Sequence, residues 1–474
     1  RSIPNLMDGL KTSQRKILYS AFKRKLTSEI KVAQFSGYVS EHSGYHHGEQ
    51  SLNGAIVNMA QDYVGSNNIN LFQPNGQFGT RLQGGSDSAS ERYIYTQLNQ
   101  LTRKLFPEQD DTVLRYLDDD GTPVEPVWYA PVIPMILING SKGIGTGFST
   151  DIPCFNPRQV IAYMTAKIKG NSVSGMEIEP YYEGFRGEIT KIEDQRYLIK
   201  GVHEILDDKH VRVTELPVGT WTDDYKAYLE KLIEGDGKKK KGGGVVRDYT
   251  DMSTDRVIDI IVTLGPNQIK KLAASSGDYG CNGLEKLLKL YTTQTTTNMH
   301  MFDEAEQLRK YETPESIVDG FVAVRNSVYV SRKAAVLKGL EQEAKKLSNK
   351  ARFITENLDG TIDLRRKKNA QVIALLEGRG FDTINDDESY GYLVKMPMNS
   401  VTEENVARLL AEKAQAVSAA DTLRATSEID LWLGEINDVE KSYGEYTEMR
   451  ARLDADAAPK KSSKKIGKKM LSAK

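Results

Sequence analysis

The 474 residues are 39% hydrophobic and 27% charged, with two cysteines and a formal net charge of -1. That balance is ordinary for a globular chain and leaves room for two to four domains. No apolar run approaches the roughly 18–20 residues that span a membrane, and Cys154 and Cys281 alone exclude a disulfide framework or a cysteine-rich zinc site and fit a reducing compartment. The near-zero charge argues against a uniformly basic nucleic-acid binder, but the cations are unevenly placed. Residues 1–31 carry Arg1, Lys11, Arg15, Lys16, Lys23, Arg24, Lys25 and Lys31 against Asp8 and Glu29, and residues 459–474 hold seven lysines and no acid. Either cluster reads equally as a solvated face, because phosphate binding needs the cations gathered on one side. The opening Arg1-Ser2-Ile3-Pro4, without Met, leads us to expect a segment of a longer protein.

In chain order, residues 14–22 form an amphipathic helix with a basic face, and residues 51–64 a second helix with Leu52, Ala55, Ile56, Met59 and Val64 on one stripe. Arg92-Tyr93-Ile94-Tyr95-Thr96 is aromatic and β-branched, and a more helical run covers 98–106. The apolar run 131–138 reads as a buried strand ended by Asn139-Gly140, leading into Gly143-Ile144-Gly145-Thr146-Gly147. Residues 187–192, 210–216 and 256–264 read as strands of an α+β region. Lys238 to Lys241 followed by Gly242-Gly243-Gly244 reads as an exposed loop. Leu337, Leu340, Ala344, Leu347, Ala351, Ile354 and Leu358 step by three and four, a heptad seam. Val406, Leu410, Val417 and Ala420 suggest an antiparallel return helix, with a small knob at 371–397 between the two. The Ala-, Ser- and Lys-rich chain beyond about 450 reads as a disordered tail.

Several chemistries fail on spacing. Gly143 to Gly147 lacks both the dinucleotide pattern and a following Gly-Lys-Ser/Thr. His46-His47-Gly48-Glu49 does not have metalloprotease spacing, and the cysteines are remote from it. No Gly-x-Ser-x-Gly elbow is present. A tyrosine beside an arginine remains a sensible nucleophile. A phenol with a pKa of about 10 attacks a phosphodiester when cations stabilise its oxyanion and the crowded transition state. Tyr93 follows Arg92 in this way. Among 23 tyrosines, however, such a pair alone reads more readily as a core or interface residue.

An ordered series of motifs resolves that choice. It runs Arg1-Ser2-Ile3-Pro4, Asp8-Gly9-Leu10-Lys11, Gln14-Arg15-Lys16, Tyr45-His46-His47-Gly48-Glu49, Val64 to Asn68, and Gly76-Gln77-Phe78-Gly79-Thr80-Arg81. It continues through Arg92-Tyr93-Ile94, Val124 to Tyr129, and Ile138-Asn139-Gly140 to Phe148-Ser149-Thr150. In order and spacing this resembles the cleavage domain of type IIA DNA topoisomerases, the eukaryotic and viral enzymes more than the bacterial gyrase protein. The likeness continues more thinly through Glu215-Leu216-Pro217-Val218, Asn349 to Ile354 and Asp430-Leu431-Trp432, to about residue 435.

The resemblance implies an α+β multidomain fold: a winged-helix domain over 1–165, a tower domain over 166–300 and a long coiled-coil hairpin forming an exit gate over 301–435. A C-terminal helix end and basic tail follow over 436–474. It implies Tyr93 as the nucleophile that joins a DNA 5′ phosphate, with Arg92 as its transition-state partner and Arg1 and His47 holding the scissile phosphate. Lys11, Arg15 and Lys16 would be backbone contacts, and His46 a further DNA contact. Gln50 would lie at the cleavage pocket, and Ile144 would be a wedge between base pairs. The implied enzyme is a twofold-symmetric homodimer acting on double-stranded DNA, changing topology by relaxation and decatenation. It needs Mg²⁺ and ATP, both bound by metal-binding and ATPase parts outside this chain, fused or separate. No membrane role is implied, and no metal site within the chain. The implied location is the nucleus, or a viral factory or cytoplasm for a viral enzyme. Two other readings stand beside it: a DNA-binding scaffold that kept the fold and lost activity, and a coiled-coil structural protein.

Overall fold

A computed structural model describes residues 2–234, 245–384 and 387–457. Arg1, the Lys238–Gly244 stretch and the basic tail therefore lie outside the described residues. The chain divides into two compact units, one of residues 1–107, 114–324 and 436 onward, the other of 108–113 and 325–435. The regions expected as separate domains at 1–165 and 166–300 share the first unit.

That unit opens with α1 (Thr12–Lys23), β1 (Ile30–Lys31), α2 (Val32–Ser43) and α3 (Glu49–Ala60). The three helices pack on one another because each buries an apolar stripe: Ile17, Leu18 and Ala21; Phe35 and Val39; Leu52, Ile56 and Met59. The strand β2 (Tyr95–Thr96) pairs antiparallel with β1, Lys31 opposite Tyr95, and a short α4 (Thr102–Leu105) follows. Hairpin β3 (Tyr116–Asp119) to β4 (Thr122–Pro126) turns through Asp120 and Gly121, both with positive φ, the backbone a tight antiparallel turn requires.

The run 131–138 is buried, as its composition predicts, but it is not a strand. Residues Met135–Asn139 form helix α5 after Pro134, whose φ of -70° suits a helix entry. A short wholly apolar run carries no period to tell strand from helix. Hairpin β5 (Ser141–Ile144) to β6 (Ser149–Ile152) comes next. Helix α6 (Pro157–Ile168) then starts where the Asn156 side chain accepts the Arg158 N–H, with Pro157 in its first turn.

Strands β7 (Glu188–Glu193) and β8 (Arg196–Lys200) form one antiparallel sheet with β13 (Tyr291–Thr295). A second sheet, in the order β11-β12-β10-β9, combines β9 (Val202–Ile205), β10 (His210–Glu215), β11 (Val246–Asp251) and β12 (Ile260–Leu264). Helices α7 (Thr222–Glu234), α8 (Gln268–Ala273) and α9 (Gly283–Leu287) cover its core of Val211, Val213, Tyr225, Leu229, Ile260 and Val262. The hairpin β14 (Met299–Phe302) to β15 (Leu308–Tyr311) returns to the N-terminal segment. There the Phe302 N–H donates to the Pro4 carbonyl and the Leu6 N–H to that of Phe302, within the first unit.

Helix α10 (Pro314–Leu358) runs 45 residues from the first unit into the second. In the second unit Ala344, Leu347, Ala351 and Ile354 of the seam are buried, while Leu358 is exposed. Helix α11 (Asn369–Gly378) and the one-turn α12 (Gly391–Val394) share a small core of Phe353, Ile362, Leu376, Phe381, Tyr390 and Leu393. Helix α13 (Glu403–Ala425) returns antiparallel, with Lys413 reaching Ser348 and Arg424 reaching Glu341. Its inward stripe keeps Val406 and Ala420 of the expected set but not Leu410 or Val417. Leu409 is buried with Leu347 and Ile354, whereas Leu410 and Val417 face solvent. The seam on α13 is offset because two adjacent leucines, 409 and 410, fit a helical period equally well.

Helix α14 (Glu428–Asp456) continues past residue 450, where a disordered tail was expected. Arg450, buried, donates to the carbonyls of Asn67, Asn68 and Asp62, and the Tyr443 hydroxyl donates to Glu183 at 2.7 Å. These internal bonds order a sequence whose composition alone reads as disordered.

Candidate functional site

The Arg92–Tyr93 pair sits on a turn just before β2. The turn is anchored on both sides. The Tyr93 N–H donates to Ser90, while the Val32 and Ala33 N–H groups donate to the carbonyls of Ile94 and Glu91. These are the first amides of α2, which have no partner inside their own helix. Buried Ile94 pins the following residue. Backbone order is thus combined with free side chains: Tyr93 is 77% exposed and Arg92 is exposed too. Among the described residues no hydrogen bond or ion pair engages either side chain.

The two histidines sit between α2 and α3. Gly44 ends α2 at φ +59°, a left-handed conformation that glycine adopts without steric cost. Tyr45 is buried, with its ring edge-on to His47 at 5.4 Å between centroids. His46, His47 and Gln50 are exposed, and His46 Nε2 stands 3.7 Å from Asp119. Within the chain no bond joins this loop to Tyr93 among the described residues.

The helix α1 cations behave differently from the solvent-facing row that sequence suggests. Arg15 is buried. Its Nε donates to Asp8 at 2.7 Å, and one Nη donates to Asp8 at 3.0 Å and to the Leu10 carbonyl at 2.9 Å. Burial alone would pull the guanidinium down, but the Asp8 carboxylate more than offsets this and holds it above its ordinary value. Three hydrogen bonds from Nε and one Nη of Arg15 are therefore directed inside the fold. Lys16 is half committed in the same way, donating to the Ser43 carbonyl and to buried Glu125 at 2.8 Å. Lys11 reaches the Lys142 carbonyl at 2.6 Å, and burial lowers its pKa.

That last bond ties α1 to the hairpin that carries Ile144. Gly143 lies so close to Ser2 that a Cβ would meet the Ser2 carbonyl oxygen at 2.0 Å, which seats the hairpin on the N-terminal segment. Its tip stands clear: Ile144 is 83% exposed and Phe148 57%. Ile144 stands out in the sequence, whereas Phe148, in the glycine-rich turn between the strands, does not. Nor does the sequence mark Asp119 and Glu125 as partners of His46 and Lys16. A cavity of about 630 Å³ lies elsewhere in this unit, lined by residues such as Asn70, Asn99, Arg256 and Arg450 but by neither Tyr93 nor His47. Among the described residues no cluster of three His, Cys, Asp or Glu side chains could hold a metal ion. No helix described is long and apolar enough to cross a membrane.

The same architecture occurs in the crystal structure of the Plasmodium falciparum topoisomerase II DNA-binding, cleavage and re-ligation domain. It aligns with a TM-score of 0.87 and 37% identity over 96% of this chain and 63% of that one. The fold class is that of a topoisomerase II cleavage core. The family model for the A-type subunit of DNA gyrase/topoisomerase IV matches residues 1–437, and the chain belongs to that family. DNA topoisomerase 2 of Arabidopsis thaliana is 41% identical over 98% of this chain, and the DNA topoisomerase-like protein cin-4 of Caenorhabditis elegans 43% identical over 88%. The chain spans 34% and 49% of those two relatives.

Proposed function

We propose that this chain is the breakage-and-rejoining part of a type IIA DNA topoisomerase. The Tyr93 hydroxyl gives up its proton as its oxygen attacks a backbone phosphorus; the bond to the 3′ oxygen breaks, that oxygen takes up a proton, and the 5′ phosphate stays on the tyrosine. One phosphodiester replaces another, so the reaction runs back without an added energy source. Arg92 offsets charge on the phosphoryl oxygens, and His47, with Arg1, holds the phosphate. Lys11, His46 and Gln50 line the DNA path, and Ile144 enters a base step. Arg15 and Lys16 contact the DNA backbone from α1, which they also brace through Asp8 and Glu125. The observation that carries the reading is the Arg92–Tyr93 turn, rigid in its backbone and free in both side chains.

In this reading residues 1–165 are a winged-helix domain, 166–300 a tower and 301–435 a coiled-coil exit gate. Two copies form a homodimer whose tyrosines each break one strand, and a second duplex passes through before rejoining. Mg²⁺ would supply stabilisation of charge on the reacting phosphate. It comes, like ATP hydrolysis, from parts outside this chain, and the enzyme works in the nucleus. The test is covalent trapping. The chain is supplied with a metal-binding part, supercoiled plasmid and Mg²⁺, then stopped with detergent. Protein attached to DNA 5′ ends in wild type and absent in Tyr93→Phe supports the reading. Salt-sensitive duplex binding without any adduct favours the inactive scaffold.

A further inference from the structure

The three most exposed large apolar side chains among the described residues are Ile144, Tyr93 and Phe148. The first two already have roles in the proposed reaction. Single exposed apolar residues are common on protein surfaces and need no explanation, but Phe148 is not isolated. It shares the hairpin tip with Ile144, and its carbonyl closes the turn by accepting the Gly145 N–H at 2.8 Å.

The register separates the two side chains. Ile144 stands opposite Ser149, and Lys142 opposite Asp151. Residues directly paired across an antiparallel ladder point to the same face, and neighbours along a strand to opposite faces. Lys142, Ile144, Ser149 and Asp151 therefore occupy one face. Gly143, Gly145, Phe148 and Thr150 occupy the other, which rests on Ser2 and Lys11 at Gly143. Thr150 is buried, whereas Phe148, one pair nearer the tip, overhangs. Gly147, at φ +82°, has no atom of the described residues within 4 Å of where its Cβ would stand, its own chain neighbours aside. The hairpin presents an aliphatic prong on one face and an aromatic plate on the other.

We propose that Phe148 is a second DNA-shaping residue: its ring lies against the sugar edge beside the base step that Ile144 opens, bracing the hairpin so that the step cannot close. This rests on the reading that the chain binds and bends duplex DNA. Wedging an apolar group into a step loses stacking, and a protein recovers that loss through contacts only the bent duplex allows. An aromatic face is sequence-tolerant and suits such a contact. Phe148 thus biases which steps are accepted, favouring the flexible pyrimidine–purine ones.

The experiment uses the whole chain and a duplex of about 30 base pairs with a fluorophore at each end, scored by energy transfer at fixed salt. Duplex affinity is measured in parallel by anisotropy. With Phe148→Ala the bent fraction is expected to fall about tenfold relative to the straight one. Phe148→Trp is expected to restore it and Phe148→Leu only in part. All three variants should melt at the wild-type temperature, since the side chain leaves no cavity. If Phe148→Ala bends DNA as wild type does, the inference is overturned while the DNA reading stands. If wild type itself binds no duplex, the reading of the chain as a DNA-cleaving enzyme fails, and this inference with it.

Discussion

Two regions of the first unit use the same residue types to opposite ends. At its base, Arg15 on Asp8, Lys16 on Glu125 and Arg81 on Glu215 are buried or nearly so, each with its partner within 3.0 Å. At its rim, Arg92, Tyr93, His46 and His47 are exposed, and among the described residues only His46 of these four lies within ion-pair distance of a carboxylate. The difference lies in backbone support. Base cations sit on or beside elements whose side chains face the core, where an unpaired charge is costly and pairing obligatory. Rim side chains sit on short segments whose backbone amides are satisfied by neighbouring elements, so the segments hold shape without using their side chains. A charge needed for chemistry must be kept out of internal pairs, and the anchored turn does that.

This contrast can be broken or sharpened by substitution. The largest effect is expected at the base. Arg15→Met strands the fully buried Asp8 carboxylate and should cost about 3–5 kcal/mol of unfolding free energy. Glu215→Gln keeps one acceptor for Arg81 and should cost about 2 kcal/mol. Both are read by denaturant titration, with alkylation of the cysteines as a second probe. Burial pushes the Cys154 thiol up to about 12, so it stays unmodified near pH 8 until the fold opens. Arg92→Ala should change stability by less than about 0.5 kcal/mol yet slow adduct formation by roughly a hundredfold. If Arg92→Ala destabilises as Arg15→Met does, the division between base and rim is wrong.

The smallest expected effect concerns pH. Burial raises the Asp454 carboxyl above its ordinary value, although Arg256 and Arg450 pull the other way. A carboxyl whose folded pKa is raised favours the fold while protonated, and this advantage is lost as pH rises through the folded pKa. Asp454→Asn should therefore raise the melting temperature at neutral pH by the order of 1 °C, with the gain vanishing below the usual carboxylate range. A loss at neutral pH would mean that its contact with Arg256 outweighs burial.

Much of this was legible in the residues. The strands at 188–193 and 210–215, the long seam of α10 and the ordered motif series all follow from period and spacing. What escaped was decided by tertiary partners. Arg15 looked like a surface cation because a helical pattern does not reveal that Asp8, seven residues earlier, folds back onto it. Phe148 was hidden by its neighbour Ile144, since glycine-rich turns give no sign of which apolar residue overhangs. The end of α14 has a tail-like composition and becomes ordered through Arg450, whose acceptors lie nearly 390 residues away. For the rim the sequence named the residues, while the distinction between free and internally paired groups needed coordinates.

In the proposed reaction Tyr93 is the rim group that bonds to DNA. The most direct measurement is to trap the adduct with its metal-binding part and Mg²⁺, digest protein and DNA, and locate the nucleotide remnant by mass spectrometry. The account predicts a single modified peptide containing residues 92–94, with the phosphate on Tyr93. A remnant on another of the tyrosines, or an adduct that persists in Tyr93→Phe, would contradict it.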